Sequence, residues 1–495
     1  MSHLVTIRRR AFPAGELLLG LFLAEVIAIF QVHASNRLLH DRMAAVAAAG
    51  FLPVPNEHVW PALLGWDAAV CGGLLFTLSV GAGLSLLAIL AAWVCGRSGL
   101  AVGLSAGMLA GLLVLMNSRG LDLWVSLYFL VIPPLVFLPA HRFLSGPAGA
   151  AARRSLALRL LGLLVVAGAW AGQYNTQLFI DLRDHLLMSN APGRAVSDFY
   201  YRYTLYPAEV FKSLDQKLIR TAAPTPGAPR PAVLEQVLVR NDYLPIAGPT
   251  PADVELHATG DRVVFVQSGR TLLEEPVARF TADPRSALSD ISTRADRWGP
   301  FRAFTFYAVL LAFPTTLFLL LVAGLRVLTG PLMPGTGGEI LGLAACVFVG
   351  VGILVFFHSQ RIVPPEPAEL EHYLQSPRWP DRVAALKVAR DRKIDPLTLA
   401  GVADLQQSSE VPERYYLARA LAAAHDPSTA GRLQQLLDDS SINVRTMALE
   451  SLGQRRDRAA IPAILSFLKQ SRTWYDQMYA YQALRALGWN QAQSR

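Results

Sequence analysis

The Glu25 carboxyl group lies near the middle of the first apolar run of the chain, which extends from about Phe12 to Gln31. Burying an ionisable side chain in the hydrocarbon core of a bilayer costs free energy, so such a residue usually faces other helices, water or a partner charge. Glu25 could relay a proton, bind a cation or hold a substrate. The competing interpretation is a protonated or hydrogen-bonded carboxyl packed inside a helix bundle. No other acidic or basic residue lies clearly in the middle of an apolar run, which argues against a proton pump with a series of proton-carrying residues.

A second polar group follows the fifth apolar run. Asp181, Asp184 and His185 share one face of a predicted helix, and this spacing could supply metal ligands or an acid–base pair. More often such residues form a solvated face, and we predict no metal site. The cysteines support neither a disulfide framework nor a CxxC metal site, because all of them fall in apolar runs: Cys71, Cys95 and Cys346.

Four tyrosines surround Arg202 in the segment Asp198–Tyr206. Their rings could stack on a sugar, a quinone or a peptide while Arg202 binds an anion. The interpretation that we favour is a domain core with an interfacial aromatic belt, because four apolar or aromatic residues recur there at helical spacing. These residues are Phe199, Tyr203, Tyr206 and Val210.

No known catalytic motif stands in a fitting context. The chain has no Walker loop, dinucleotide GxGxxG, HExxH or GxSxG in the setting that each requires. Catalytic residues and cofactors therefore remain undefined, and the sequence leaves open whether the protein is an enzyme.

Composition places the chain in the membrane class. Of its 495 residues 53% are hydrophobic, and the mean hydropathy is +0.34, although the carboxy-terminal third is polar. The formal charge is +8. Because many arginines flank apolar runs, we attribute the charge to membrane orientation and predict no nucleic-acid partner.

Seven apolar runs are long enough to cross a bilayer. The most informative are Ala303–Leu325 and Ile340–Phe357, since together they form a helical hairpin, Pro300–Arg361, between two water-soluble modules. In the third run a row of small residues (Gly103, Gly107 and Gly111) predicts a close approach by another helix. The other five runs are Phe12–Gln31, Trp66–Val94, Gly99–Met116, Leu123–Ala140 and Leu160–Tyr174.

Arginine placement predicts a cytoplasmic amino terminus, because cytoplasmic loops carry an excess of Lys and Arg. An odd number of spans then places Asn175–Gly299 and the carboxy terminus outside, in the periplasm of a bacterium whose inner membrane holds the protein. With this orientation only Arg37, Arg42 and Arg119 lie outside in short loops. The arginines inside are Arg8, Arg9, Arg10, Arg97, Arg142, Arg153, Arg154, Arg159 and Arg326, of which Arg142–Arg159 are expected in one basic loop.

The insertion Asn175–Gly299 has mixed α/β character. Three alternating segments separated by turns predict a small antiparallel meander, namely Asp253–His257, Arg262–Gln267 and Thr271–Val277. The proline-rich Thr221–Pro231 predicts a stiff extended linker. Near the amino terminus, Asn36–Gly65 is expected to be a polar loop.

The carboxy-terminal part repeats itself. Arg382–Ala389, Arg414–Leu421 and Arg445–Leu452 each end a predicted helix pair, and a fourth unit ends at Ala483–Gly488. A pair of this kind hides only one face, so stacking is needed to bury a core. The leading arginines are expected to pair with acidic turns such as Asp438-Asp439.

The segment Asp438–Arg445, which leads into Ala448–Gly453, is similar to the HEAT-like repeat family, particularly to the short form known from phycobilisome lyases. In that family an acidic turn precedes a Val-Arg pair, and small residues and leucines pack the second helix. The resemblance covers about Ala368–Trp489 and departs from the pattern at Tyr479-Ala480. It implies an α-solenoid that binds protein. It does not imply lyase activity, since no cysteine stands in the repeats.

We therefore predict a polytopic α-helical membrane protein with a small α/β extracytoplasmic insertion and a C-terminal α-solenoid of HEAT-like repeats. The expected domains are 1–174, 175–299, 300–361 and 362–495. The first functional hypothesis is a scaffold in the lipid bilayer that docks a protein partner, with Arg419, Glu450 and Arg485 as contacts on the second-helix side of an array that folds alone. The alternative is a membrane enzyme or transporter with chemistry at Glu25 and residues 181–206, the array being a regulatory arm.

Overall fold

A computed structural model describes residues 13–95, 98–145, 149–173, 175–225, 232–259, 261–329, 333 and 337–494. The chain divides into two compact units, each assembled from three separate segments. The first unit takes its described residues from Met1–Ala34, Trp66–Leu178 and Asp296–Ser359. The second takes them from Ser35–Gly65, Phe179–Ala295 and Gln360–Arg495.

The described residues are mostly helical. In chain order the helices before the sheet are α1 (Ala14–Ala48), α2 (Trp60–Leu64), α3 (Trp66–Phe76), α4 (Ala82–Cys95), α5 (Gly99–Met116), α6 (Leu123–Ser145), α7 (Gly149–Ala171), α8 (Thr176–Asp181), α9 (Ala191–Tyr203) and α10 (Leu205–Val210). The later helices are α11 (Ala232–Arg240), α12 (Val277–Ala282), α13 (Pro284–Ala295), α14 (Gly299–Tyr307), α15 (Phe313–Thr329), α16 (Gly337–Gln360), α17 (Leu370–Leu374), α18 (Trp379–Asp391), α19 (Val411–Ala420), α20 (Thr429–Gln435), α21 (Ile442–Gln454), α22 (Ile461–Gln470) and α23 (Trp474–Ala486).

Among the described residues, seven helical segments are long and apolar enough to cross a membrane, which agrees with the predicted number. Two of them contain a π-helical turn, Thr77–Gly81 between α3 and α4, and Ala308–Ala312 between α14 and α15. The seven segments are Ala14–Ala48, Trp66–Cys95, Gly99–Met116, Leu123–Ser145, Arg154–Ala171, Gly299–Thr329 and Gly337–Gln360.

Close helix packing in the first unit depends on glycines other than the predicted row. A Cβ atom added to Gly20 would lie 2.0 Å from Ser85 Oγ, and one added to Gly81 would lie 2.4 Å from Ala24 Cβ. Both positions therefore exclude any larger residue. The predicted row in α5 faces open space instead, since a Cβ atom at Gly103 would meet nothing within 4 Å. The prediction of close packing in α5 is therefore wrong, because small residues permit such an approach but do not bring a second helix there.

The expected basic loop is also wrong, because most of its arginines lie within α7. The side chain of Arg159 is fully buried, and its Nε donates a hydrogen bond to Glu339 Oε1 at 3.1 Å. Ser155 Oγ donates to the same oxygen, and Arg326 Nη1 lies 3.6 Å from Glu339 Oε2. One carboxylate thus joins α7, α15 and α16, and this pairing allows Arg159 to be buried.

The segment Asn36–Gly65 is not simply a polar loop. Helix α1 continues to Ala48, and the side chains of Met43 and Val46 are buried in the second unit. The alanine-rich residues after Arg42 favour helix, and their apolar face finds a core that the local sequence does not reveal.

The sheet contains five strands within the described residues, in the order β2-β1-β3-β4-β5. The predicted meander is confirmed as antiparallel β3 (Val254–Thr259), β4 (Arg262–Gln267) and β5 (Arg270–Pro276). Two short strands, β1 (Arg220–Pro224) and β2 (Tyr243–Pro245), add to it in parallel. The interpretation of Thr221–Pro231 as linker therefore missed β1, whose two alanines and one proline carry little strand propensity.

The carboxy-terminal repeats form stacked helix pairs whose second helices are α18, α19, α21 and α23. The leading arginines link successive pairs, as expected: Arg414 Nε donates to Asp439 Oδ2 at 2.6 Å, and Arg445 Nη2 donates to Asp476 Oδ2 at 2.9 Å. The repeat core also includes residues from outside the array, among them Met188, Ile219 and Leu244 of the insertion.

Candidate functional site

One of the acidic residues that follow the fifth apolar run is held by the repeat array. Asp184 is 2% exposed and is the centre of this contact. Tyr416 Oη donates to Asp184 Oδ2 at 2.9 Å, and Lys387 Nζ donates to the same oxygen at 3.1 Å. The neighbouring Arg183 donates to Asp184 Oδ1 through both Nε and Nη2. Both carboxylate oxygens are thus occupied by side chains of this chain.

Arg183 extends the same contact into α19. Its Nη1 donates to Tyr415 Oη at 2.8 Å and its Nη2 donates to Tyr416 Oη at 2.5 Å, while its Cζ lies 4.5 Å from the centroid of the Tyr415 ring. Burial alone would lower the pKa of Arg183, but the Asp184 carboxylate raises it, so the guanidinium stays charged. Burial raises the pKa of Tyr416, as does the Asp184 charge, so its phenol remains a donor.

The other two predicted residues of this face are partly or fully buried as well. Arg361 Nε donates to Asp181 Oδ2 at 3.1 Å, and Asp181 is 3% exposed. The ring of His185 lies 5.1 Å from that of Trp379. Burial lowers the pKa of His185, and Asp184 and Asp181 partly offset this effect. The described residues contain no group of three or more metal-ligating side chains. Asp184 and His185 pack the insertion against the array through Tyr416, Lys387 and Trp379, whereas Asp181 is paired with Arg361, which precedes the array.

Helix α9 and the residues after it provide the next contacts with the array. Asn443 Nδ2 donates to Ser197 Oγ at 3.1 Å, and Thr204 Oγ1 lies 3.0 Å from Tyr475 Oη. The ring of Tyr206 lies 5.2 Å from that of Trp474. Arg202 is exposed on α9 and does not join the Asp184 contact, whose cations are Arg183 and Lys387.

Residues 49–59 of the second unit are held by two amide side chains of the last repeat. Gln477 accepts from the backbone N–H of Asn56 at 2.9 Å and donates to Asn56 Oδ1 at 2.7 Å. Gln491 makes the same reciprocal pair with the backbone of Leu52, at 3.0 and 2.9 Å. We call the contacts of Asp184 and Ser197 with the array, together with those of Asp242 with Tyr481 and Arg485, the repeat–insertion interface.

The three predicted partner contacts have different surroundings. Arg485 is engaged within the chain, since its Nε lies 3.1 Å from Asp242 Oδ2 and its Nη2 donates to Arg240 O. Arg419 is half-buried, and its Cζ lies 5.7 Å from the centroid of the Tyr415 ring. Glu450 lines an open groove of about 510 Å³ between α21 and α23. The remaining lining residues of this groove are Gly453, Gln454, Arg456, Tyr479, Gln482, Ala483 and Ala486.

Glu25 lies in a polar cluster of the first unit. Thr77 Oγ1, at the start of a π-helical turn, donates to Glu25 Oε2 at 2.6 Å. Tyr128 Oη donates to Gln31 Oε1 at 2.8 Å, and both of these residues are fully buried. Among the described residues, Glu25 Oε1 and Gln31 Nε2 are buried atoms without a hydrogen-bond partner. π-helical turns often occur at functional sites.

The stacked pairs, the arginine links between them and the four second helices define the architecture of the array. Residues 400–485 match the sequence model of HEAT repeats. The resemblance drawn from Asp438–Gly453 is therefore confirmed for this part of the chain. HEAT repeats generally mediate protein–protein interaction. No curated protein and no solved structure matches the chain.

Sequence reasoning missed the residues that complete the repeat–insertion interface, above all Arg183, Tyr415 and Tyr416. A signal was present in the HEAT repeats themselves. The two residues after the leading arginine are Val383-Ala384 in one repeat and Thr446-Met447 in another, but two tyrosines stand at the equivalent place in α19. Tyrosines on a helix that packs against other elements indicate that their hydroxyl groups meet polar side chains of another segment.

Proposed function

We propose that the protein is an integral membrane scaffold whose HEAT repeats hold its own extramembrane segments and dock a partner protein in the Glu450 groove. The repeats supply the interaction surface, and the long apolar helices supply the attachment to the bilayer.

The segment composition of the second unit carries the membrane part of this proposal. Its three segments, Ser35–Gly65, Phe179–Ala295 and Gln360–Arg495, follow the first, fifth and seventh apolar helices. In a chain that crosses a bilayer with every such helix, all segments that follow an odd number of crossings emerge on the same side. A seven-span topology therefore brings the three segments of the second unit to the same side of the bilayer, as their packing into one unit requires.

A contact in the first unit supports the same topology. The turn after the third apolar helix lies against the residues that precede the sixth, because Trp298 Nε1 donates to Asp122 Oδ2 at 3.1 Å and Arg119 Nη1 donates to Asp296 O at 3.3 Å. Both segments follow an odd number of crossings. Together with the arginine excess on the other side, this contact supports our proposal that the amino terminus lies in the cytoplasm and the HEAT repeats lie in the periplasm of a bacterial cell.

We propose the Glu450 groove as the partner site because the other two predicted contacts are engaged within the chain. Arg485 is paired with Asp242, and Arg419 lies over the ring of Tyr415. Gln454 and Gln482 present planar amides there, and Tyr479 presents a ring and a hydroxyl group. Such groups can bond to the backbone of an extended peptide and pack on its side chains. Mixed polar and apolar lining is typical of a non-obligate protein interface.

A photo-crosslinking amino acid at Gln482, in the full chain in native membranes, tests the docking site. We expect a defined crosslinked protein at this position and none at Gln470, an exposed residue of α22 outside the groove. Glu450→Lys should reduce the yield at Gln482 because it removes the negative charge of the groove and adds a second positive charge beside Arg456. Equal crosslinking at both positions, or a yield unchanged by Glu450→Lys, would remove the groove from the proposal.

A second candidate function, a membrane enzyme or transporter, is favoured by one observation in the first unit. Glu25 Oε1 and Gln31 Nε2 are buried among apolar helices without a partner in the described residues. Groups of this kind are costly in hydrocarbon and often belong to a polar pathway. A Glu25→Gln variant that folds and loses activity in cells would support this candidate over the scaffold.

A further inference from the structure

Helix α9 carries a narrow stripe that packs inside the second unit. Ser197 is 5% exposed and accepts the hydrogen bond from Asn443. One turn earlier, a Cβ atom added to Gly193 would lie 1.6 Å from Leu186 O, so the helix backbone touches the preceding π-helical segment Leu182–Met188 directly. This stripe fixes the rotation of α9 about its axis.

The opposite side of α9 is apolar and exposed. At 100° per residue, Ala195 and Phe199 lie closest to the side opposite Ser197, Tyr203 and Val196 continue the apolar stripe on one side of them, and Arg202 borders it on the other. Val196 is 59% exposed and Phe199 is 41% exposed. The rings of Phe199 and Tyr203 lie 5.0 Å apart, so the exposed surface is continuous along the helix.

Polar residues are confined to one flank of α9. Asp198 and Arg202 are both exposed and lie one turn apart between the buried and the apolar stripes. A surface helix in water places its polar residues opposite the buried stripe. A helix with an apolar side, aromatic residues and a charged flank is instead typical of one that lies in a membrane interface.

We propose that α9 is an interfacial helix whose apolar stripe, with Val196, Phe199 and Tyr203, enters the boundary between the headgroups and the acyl chains of the bilayer. This inference rests on the membrane embedding proposed above. The chain between the end of α7 at Ala171 and the start of α9 contains about 20 Å of helix, Thr176–Met188, so α9 stays within reach of the bilayer surface.

Two further features favour lipid over a protein partner for this surface. Tyr is enriched at the depth of the headgroups and Phe is common on the apolar face of interfacial helices, and Arg202 lies beside the stripe, where its long side chain can reach lipid phosphates. Because the buried stripe of α9 binds α21 through Asn443, an interfacial α9 would hold the HEAT repeats against the membrane surface.

Spin labels on the full chain in nanodiscs of phosphatidylethanolamine and phosphatidylglycerol test this inference. Cysteine is introduced singly as Val196→Cys, Phe199→Cys, Ala191→Cys or Leu164→Cys, with the native cysteines replaced. Ala191 is the matched control, since it is exposed on the polar flank of the same helix, and Leu164 is 67% exposed on α7. We expect labels at positions 196 and 199 to collide more with oxygen, and less with a water-soluble nickel chelate, than a label at position 191.

The four positions separate the possible failures. Nickel access at positions 196 and 199 equal to that at 191, with oxygen access kept at 164, would overturn the interfacial helix and leave the membrane embedding intact. Nickel access at 164 as well would overturn the embedding itself. Labels at 196 and 199 that neither reagent reaches would indicate a second copy or another protein on this surface, and this result also contradicts the proposal.

Discussion

Arg485 Nε lies 3.1 Å from Asp242 Oδ2, so a side chain of the last repeat helix is paired with the turn that follows α11 of the insertion. Tyr481 Oη donates to the other oxygen of the same carboxylate at 2.5 Å. Burial raises the pKa of Asp242, and the hydrogen bond from Tyr481 and the charge of Arg485 counteract this effect. The HEAT repeats therefore bind the insertion through charged and polar groups that need each other to remain buried.

The repeat array should be less stable alone than with the insertion. Its core includes Met188, Ile219 and Leu244, so a fragment from Glu366 to Arg495 loses apolar burial as well as the Asp242 and Asp184 contacts. The repeat periodicity predicts that the array folds independently, whereas the core that the array shares with the insertion predicts that it does not. Urea unfolding of the fragment, alone and coexpressed with residues 179–295, distinguishes them. A cooperative transition at the same midpoint in both samples would show that the array needs no partner segment.

Asp184→Asn should destabilise the second unit by about 3 kcal/mol, because it leaves Arg183 and Lys387 near a neutral group in a buried contact. The matched control is Asp198→Asn, an exposed carboxyl on α9, which should change stability by less than about 0.5 kcal/mol. Thermal unfolding of the purified full chain measures both. Unchanged unfolding of Asp184→Asn with lost activity in cells would assign Asp184 a chemical function instead of the structural one.

Acid should weaken the second unit partly through Asp253. Burial by itself would raise the pKa of this carboxyl, but Lys217 and Arg42 outweigh burial and lower it, and the backbone N–H of Thr221 adds a hydrogen bond. Because the folded pKa is below the unfolded value of about 4, the stabilisation is complete above that pH and is lost as the pH falls through the folded pKa. Asp253→Asn should therefore lower stability at neutral pH and flatten the acid limb of the stability profile.

The control for this experiment is Asp215→Asn, whose carboxyl lies on the same segment of the insertion and is exposed. An acid limb as steep in Asp253→Asn as in the unmodified chain would assign the acid sensitivity to other carboxylates.

Glu25→Gln should leave both stability and partner docking nearly unchanged if the protein is a scaffold. An amide oxygen can accept the hydrogen bond of Thr77 as the carboxylate does. Thr77→Val is the companion change, since it removes the only donor to Glu25 found among the described residues and should destabilise by about 1 kcal/mol. Loss of activity in a well-folded Glu25→Gln protein would instead support the enzyme or transporter candidate.

Cysteines at Ser268 and Ser440 should react equally with an impermeant thiol reagent in intact spheroplasts. Both residues are exposed, and both belong to the second unit, so the bilayer cannot separate them. The native cysteines are replaced first, and a cysteine at Ser98, in a turn that the proposed topology assigns to the cytoplasm, is the control expected to stay unlabelled. Labelling at only one of the first two positions would refute the seven-span topology.

Local patterns in the sequence determined much of this architecture. Hydropathy alone marks the seven long helices, because each needs about twenty apolar residues in one stretch. The arginines of the repeats, with Arg414 and Asp439 as the clearest pair, were predictable since each repeat contacts only its neighbours. The antiparallel meander followed from alternation along three adjacent segments.

Only the tertiary structure decided which distant residues complete each buried contact. Glu339 neutralises Arg159 from a helix 180 positions away, and Tyr416 reaches Asp184 across 232 positions. A buried charge requires a partner, but one sequence does not specify which side chain at such a separation will supply it. The same reason explains why Arg485, judged by its place on a second helix, was expected to bind another protein and instead binds Asp242 of its own chain.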